Sequence, residues 1–88
     1  MMKFDDALFS KTDRYSIDVE STSGRYYASI PVSSGIVDYE EYYELTHDQF
    51  HEFLRDREAA IAFIEACRRR EHDDLLLQRP GSNRGIPV

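Results

Sequence analysis

The stretch Tyr15-Ser16-Ile17-Asp18-Val19-Glu20-Ser21-Thr22-Ser23-Gly24-Arg25-Tyr26-Tyr27-Ala28-Ser29-Ile30-Pro31-Val32 decides the fold. Tyr15, Ile17 and Val19 alternate with Ser16, Asp18 and Glu20, the period-two pattern of a half-buried strand. Ser21-Thr22-Ser23-Gly24 supplies turn chemistry. The pattern then resumes from Arg25 to Val32, with Tyr26, Ala28, Ile30 and Val32 facing the core. Pro31 donates no backbone hydrogen bond, so its part of that strand is an edge or a bulge.

Working outward, Ser33-Ser34-Gly35 makes a second turn and a third strand runs from Ile36 to about Leu45. It places Val37, Tyr39, Glu41 and Tyr43 on one face and Asp38, Glu40, Tyr42 and Glu44 on the other. Helix punctuation follows. Thr46 and Gln49 have the capping-box form, and Phe50, Phe53 and Leu54 sit at helical spacing. Asp56 can cap a second helix with the apolar stripe Ala60, Ile61, Ile64 and Cys67. Arg68, Arg69 and Arg70 complement the dipole at its C-terminal end. Residues 1–13 read as a short arm or one helical turn. Leu75-Leu76-Leu77 is either a final strand or the last turn of the helix. Residues 80–88 read as a flexible tail. The expectation is one α+β domain over residues 1–88: a three-stranded antiparallel β-meander followed by two helices, with a fourth short C-terminal strand as an option.

Size and charge narrow the function. A chain of 88 residues buries only about 60–65% of its unfolded surface, leaving little room for both a core and a deep cleft. Seventeen acids stand against eleven Lys and Arg, a net charge of −6. Such a surface repels nucleic acid and anionic membrane and attracts basic proteins. Cys67 is the single cysteine, which fits a reducing compartment; its place on an apolar stripe reads as a buried structural thiol. No stretch has signal-peptide or membrane-span character, so a soluble, cytoplasmic protein is expected.

Chemistry-bearing motifs are sparse. His47 and His51 share a helix face at the spacing of the zinc-protease motif, with Asp48 where a glutamate base belongs. The shorter acid, the position in the first helical turn and the lack of a supported third ligand (His72 or Glu71) argue against catalytic zinc. Two solvent-facing histidines are expected, with no metal and no cofactor. His72-Asp73-Asp74 has no accompanying nucleophile, and Ser33-Ser34-Gly35 lacks the frame of a nucleophile elbow. No enzyme is expected.

The informative segment is Val37-Asp38-Tyr39-Glu40-Glu41-Tyr42-Tyr43-Glu44. It interleaves four carboxylates with three tyrosines, and tyrosine offers a rigid apolar face and a hydroxyl at low entropic cost. Extended to Glu58, the window holds eight acids against two bases. That balance of −6 equals the net charge of the whole chain, so the charge is concentrated here. The candidate partner-binding residues are Asp38, Tyr39, Glu40, Glu41, Tyr42, Tyr43, Glu44, Asp48 and Glu52.

Ile30-Pro31-Val32-Ser33, the segment Val37 to Glu44, and Arg68-Arg69-Arg70-Glu71-His72-Asp73 together resemble small bacterial immunity proteins. These are the antidotes encoded beside polymorphic or contact-dependent growth-inhibition toxins. The likeness covers roughly residues 14–88 and lies in general character. It implies a non-catalytic protein that binds a cognate basic toxin domain, often a nuclease, and blocks its active site. The strand from Tyr39 to Glu44 would then mimic substrate phosphates. The alternative is a small regulatory or adaptor subunit, pairing with its own copy through an open sheet edge.

Overall fold

The computed structural model describes residues 3–35, 37–78 and 84–87. Strands β1 (Phe4–Ser10), β2 (Tyr15–Glu20), β3 (Tyr26–Ser33) and β4 (Asp38–Leu45) form an antiparallel sheet in the order β1-β2-β3-β4. Helices α1 (His47–Arg55) and α2 (Arg57–Arg68) follow. A 3₁₀ turn over Asp73–Leu75 comes next, then a two-residue strand β5 (Ile86–Pro87) that pairs antiparallel with β3. The α+β architecture is as expected, with four meander strands in place of three.

The extra strand is β1, in residues read from sequence as an arm or a helical turn. Its register against β2 slips between Asp6 and Leu8, at a bulge. The extra residue switches side-chain parity, so Phe4 and Asp6 lie on one face while Leu8 packs against the core on the other. A bulge erases the period-two signal, which hid this strand.

The turns use the residues anticipated. Gly24 adopts φ 74° and Gly35 φ 90°, left-handed values that favour glycine. Between β2 and β3, Glu20 closes the turn: its carboxylate accepts from the backbone amides of Thr22 (2.8 Å), Ser23 (2.8 Å) and Lys3 (3.1 Å). Pro31 sits beyond the last β2–β3 pair, Ser16 with Ser29, and before the first β5 pair at Val32. Its missing amide therefore breaks neither ladder.

Capping chemistry fixes the helices. Gln49 N donates to Thr46 Oγ1 (3.1 Å) and Thr46 N to Gln49 Oε1 (2.9 Å). Asp56 ends one helix and starts the next. Its amide donates to Glu52 O, and its side chain accepts from the amides of Glu58 and Ala59. At the end of α2, Arg70 takes φ 63°, while Arg70 N bonds Cys67 O and Glu71 N bonds Ala66 O. This is a Schellman closure with arginine in the position glycine usually takes.

Both helices pack on one face of the sheet. Ile17, Ala28, Ile30, Val32, Tyr43 and Leu45 meet Phe50, Phe53, Ala60, Ile64 and Cys67 in a single core. Each large apolar side chain contributes about 1.5–3 kcal/mol by leaving water. Leu75-Leu76-Leu77 is neither of the options left open by the sequence: α2 ends at Arg68, and the segment joins no strand beyond one isolated bridge. Leu75 ends the 3₁₀ turn, Leu76 bridges Tyr43, and Leu77 N donates to Tyr42 O (2.8 Å). Ile36 and residues 80–83 and 88 lie outside the described residues. Arg84 to Pro87, read as part of a flexible tail, are held against the sheet.

Candidate functional site

The helices leave the other sheet face uncovered. Alternation and register place Phe4, Asp6 and Phe9 from β1, Ser16, Asp18 and Glu20 from β2, and Tyr27, Ser29 and Pro31 from β3 on it. β4 adds Asp38, Glu40, Tyr42 and Glu44. None of the four strands carries a Lys or Arg, yet they hold eight of the acids. Among the described residues the bases sit just before β1, in turns, in helices and near the C-terminus.

This face has two layers. Underneath lie polar side chains that are buried although no helix covers them: Ser16, Asp18, Glu20 and Ser29. The expectation that β2 is buried on one face only is corrected here. The cover comes from aromatics on the neighbouring strands. Phe4 stacks on Tyr42 (4.0 Å between centroids) and meets Tyr27 edge-on (5.4 Å), while Tyr27 and Tyr42 are perpendicular at 6.4 Å. Beneath them the hydroxyls of Ser16 and Ser29 touch each other. Ser29 Oγ donates to Asp18 Oδ2 (2.9 Å), and Ser16 Oγ lies 3.1 Å from the same oxygen. Burial, and then the Asp6 carboxyl beside it, push Asp18 up to about 7. Asp18 Oδ1 has no hydrogen-bond partner among the described residues. Glu20 goes the other way: the amide hydrogen bonds that it accepts, led by Thr22, hold it down at about 2.

The outer layer faces solvent. Asp6, Asp38, Glu40 and Glu44 are exposed, and Phe9 is 66% exposed. Tyr42 is half-buried, and its hydroxyl donates to Glu40 Oε2 (2.9 Å). Burial and that carboxylate raise the Tyr42 phenol, so it stays protonated. A shallow groove of about 310 Å³ runs past Phe9, Ser29, Pro31 and Glu40, with Lys11 and Arg14 at its rim. Glu44 approaches Arg25 at 3.9 Å, with both side chains largely exposed, a pair that contributes little.

The nine residues singled out from sequence do not form one patch. Asp38, Glu40, Tyr42 and Glu44 lie together on the uncovered face. Tyr39, Glu41 and Tyr43 point to the helix side. Tyr43 is fully buried, with its hydroxyl donating to Glu41 Oε1 (3.0 Å). Glu41 is 6% exposed and accepts a bidentate pair from Arg84 (2.8 and 2.9 Å). Arg84 also grips Asp73 (2.8 and 3.0 Å), and Tyr39 Oη accepts from Gly85 N (2.9 Å). Those three residues anchor the C-terminal segment. Gly85 is required there, since a Cβ would stand 2.3 Å from Ser33 O. Asp48 and Glu52 are exposed on α1, in the other layer. Phe9, Asp6 and Pro31 were missed, because the strand carrying two of them was missed.

His72 is stacked flat on Phe63 (4.7 Å), and Glu71 pairs with Arg69 (2.7 Å). Neither joins the His47 and His51 pair. Among the described residues no group of three or more His, Cys, Asp or Glu is arranged to hold a metal ion, and no helix is long and apolar enough to cross a membrane. No protein-family model, curated protein or solved structure matches this chain.

Proposed function

We propose that this chain is a non-catalytic binding protein that acts as an immunity protein, using its uncovered sheet face to occupy the active site of a cognate basic toxin such as a nuclease. One observation carries this reading: a helix-free face built from strands without a single Lys or Arg, presenting Asp6, Asp38, Glu40 and Glu44 around Phe9 and Tyr42. The acids complement an active site evolved to hold phosphates and speed encounter by steering. Phe9 and Tyr42 supply the aromatic anchors around which binding energy concentrates. Tyr42 is held in place by its stack on Phe4 and its hydrogen bond to Glu40, so little ordering entropy is lost there on binding.

The alternative, a regulatory or adaptor subunit that pairs edge to edge with its own copy, is favoured less. The outer edge of β1 carries the bulge, and Leu76 and Leu77 cover part of the β4 edge, devices that discourage strand pairing.

The test is functional. The immobilised chain is passed over lysate of its source organism, and each basic polypeptide retained at moderate salt is expressed alone to measure its toxicity. Relief of that toxicity by this chain, lost on combining Phe9→Ser, Glu40→Lys and Glu44→Lys, supports the reading. Toxicity that this chain does not relieve, or relief that survives the triple substitution, overturns it.

A further inference from the structure

His47 and His51 stand one helical turn apart on α1, with their Nε2 atoms 3.0 Å from each other. Both residues are exposed. His47 Nδ1 lies 3.4 Å from Asp48 Oδ1. A proton on Nδ1, donated to that carboxylate, leaves the Nε2 lone pair toward His51, and a carboxylate placed behind the ring in this way orients metal-ligating imidazoles. The rings are also braced: Tyr26 meets His47 edge-on at 5.8 Å, and Phe50 meets His51 edge-on at 5.2 Å. One Nε2 donates to the other across this gap.

We propose that His47 and His51 form a two-imidazole chelate for a divalent first-row transition metal, preferring Cu²⁺ and Ni²⁺ to Zn²⁺, with the remaining coordination positions filled by water or by a partner's side chain.

The spacing that the two rings hold, 3.0 Å, matches a right-angle bite. With metal–nitrogen bonds of about 2.0–2.1 Å, two ligands at a right angle have nitrogens about 3.0 Å apart, and two at the tetrahedral angle about 3.4 Å. A right angle is what tetragonal Cu²⁺ and Ni²⁺ impose, and copper leads the affinity order for such ligands. Catalytic zinc requires a third protein ligand and a general base; a chelate requires neither. The positive end of the α1 dipole opposes a cation there by about 0.3–1 kcal/mol. Asp48 in the same first turn, with Glu44 and Glu52 close by in sequence, supplies opposing negative charge. The site lies in the helical layer and stands whether or not the uncovered sheet face binds a basic partner.

The experiment uses untagged protein titrated with NiCl₂ and ZnCl₂ by calorimetry, and with CuCl₂ under electron paramagnetic resonance. One Ni²⁺ per chain is expected, bound more tightly than Zn²⁺, with a copper spectrum showing coupling to two nitrogens. His47→Ala and His51→Ala should each weaken nickel binding by at least about tenfold, and Asp48→Asn, which keeps both imidazoles, by several-fold. The combined variant His51→Ala with Glu52→His retains the number of histidines but moves one off the shared face, and it should not restore binding. Nickel affinity in the single His variants within about twofold of the parent, copper bound through one nitrogen, or full binding by the relocated variant would each overturn the proposal.

Discussion

Asp6 of β1 stands directly across the ladder from Asp18 of β2, two carboxyls side by side beneath an aromatic cover that excludes water from one of them. Like charges in that setting cannot both ionise without cost. Burial and the Asp6 carboxyl together push Asp18 up to about 7, whereas an unfolded chain releases that proton near about 4. Between those values the folded chain holds a proton that the unfolded chain has lost. Stability therefore falls as pH rises through about 4 to 7 and is level above it.

Asp18→Asn keeps the shape and an acceptor for Ser29 while removing the charge. It should be more stable than the parent at pH 8, by an amount on the order of 2–4 kcal/mol. At pH 4 the two should be nearly equal. Urea melts at both pH values check this, and equal midpoints at pH 8 would sink the account of a proton held on buried Asp18. Glu20 acts in the opposite sense at the acid end. Its depressed value, about 2, adds stability above its ordinary range that is lost as pH falls toward 2.

The C-terminal segment hangs on one guanidinium. Arg84 is 13% exposed and neutralises Glu41 and Asp73 at once. Arg84→Ala leaves a buried carboxylate uncompensated and should cost about 3 kcal/mol. It should also expose the Gly85 amide, now bonded to Tyr39, to fast hydrogen exchange. Glu41→Gln combined with Arg84→Met should cost less than Arg84→Ala alone. Chemical denaturation and amide exchange decide the matter.

Cys67 is fully buried, and burial pushes its thiol up to about 12 even though Arg68 pulls the other way. The thiolate is the reactive form. Ellman's reagent at pH 8 should therefore leave the folded protein unlabelled over hours and react promptly in urea. Rapid labelling under native conditions would show that α2 opens at this position.

Residues on the two faces of the sheet should separate function from stability. Glu40→Gln and Phe9→Ser touch solvent-facing side chains and should shift stability by no more than about 0.5 kcal/mol. Tyr43→Ala, one parity step away, empties a fully buried site and should cost about 3–5 kcal/mol. Thermal melts distinguish the two classes directly.

Local chemistry was legible in the residues themselves. Alternation over Tyr15 to Leu45, glycines where the turns need positive φ, the Thr46 and Gln49 capping box and the double-capping Asp56 each act within a few residues. They determined three strands, two helices and most of the core. The concentration of acids and tyrosines in β4 was equally visible. What tertiary structure alone decided depends on contacts between distant residues. The bulge at Ala7 hid β1, and with it the sheet face carrying Phe9 and the carboxyl of Asp6 that adds to the effect of burial on Asp18. Arg84 reaches Glu41 across more than forty positions of chain, turning part of an expected binding strip into an internal anchor. Sequence period assigns residues to one face or the other, but which face the helices cover, and which carboxylates find a cation inside the molecule, is settled only when the layers close.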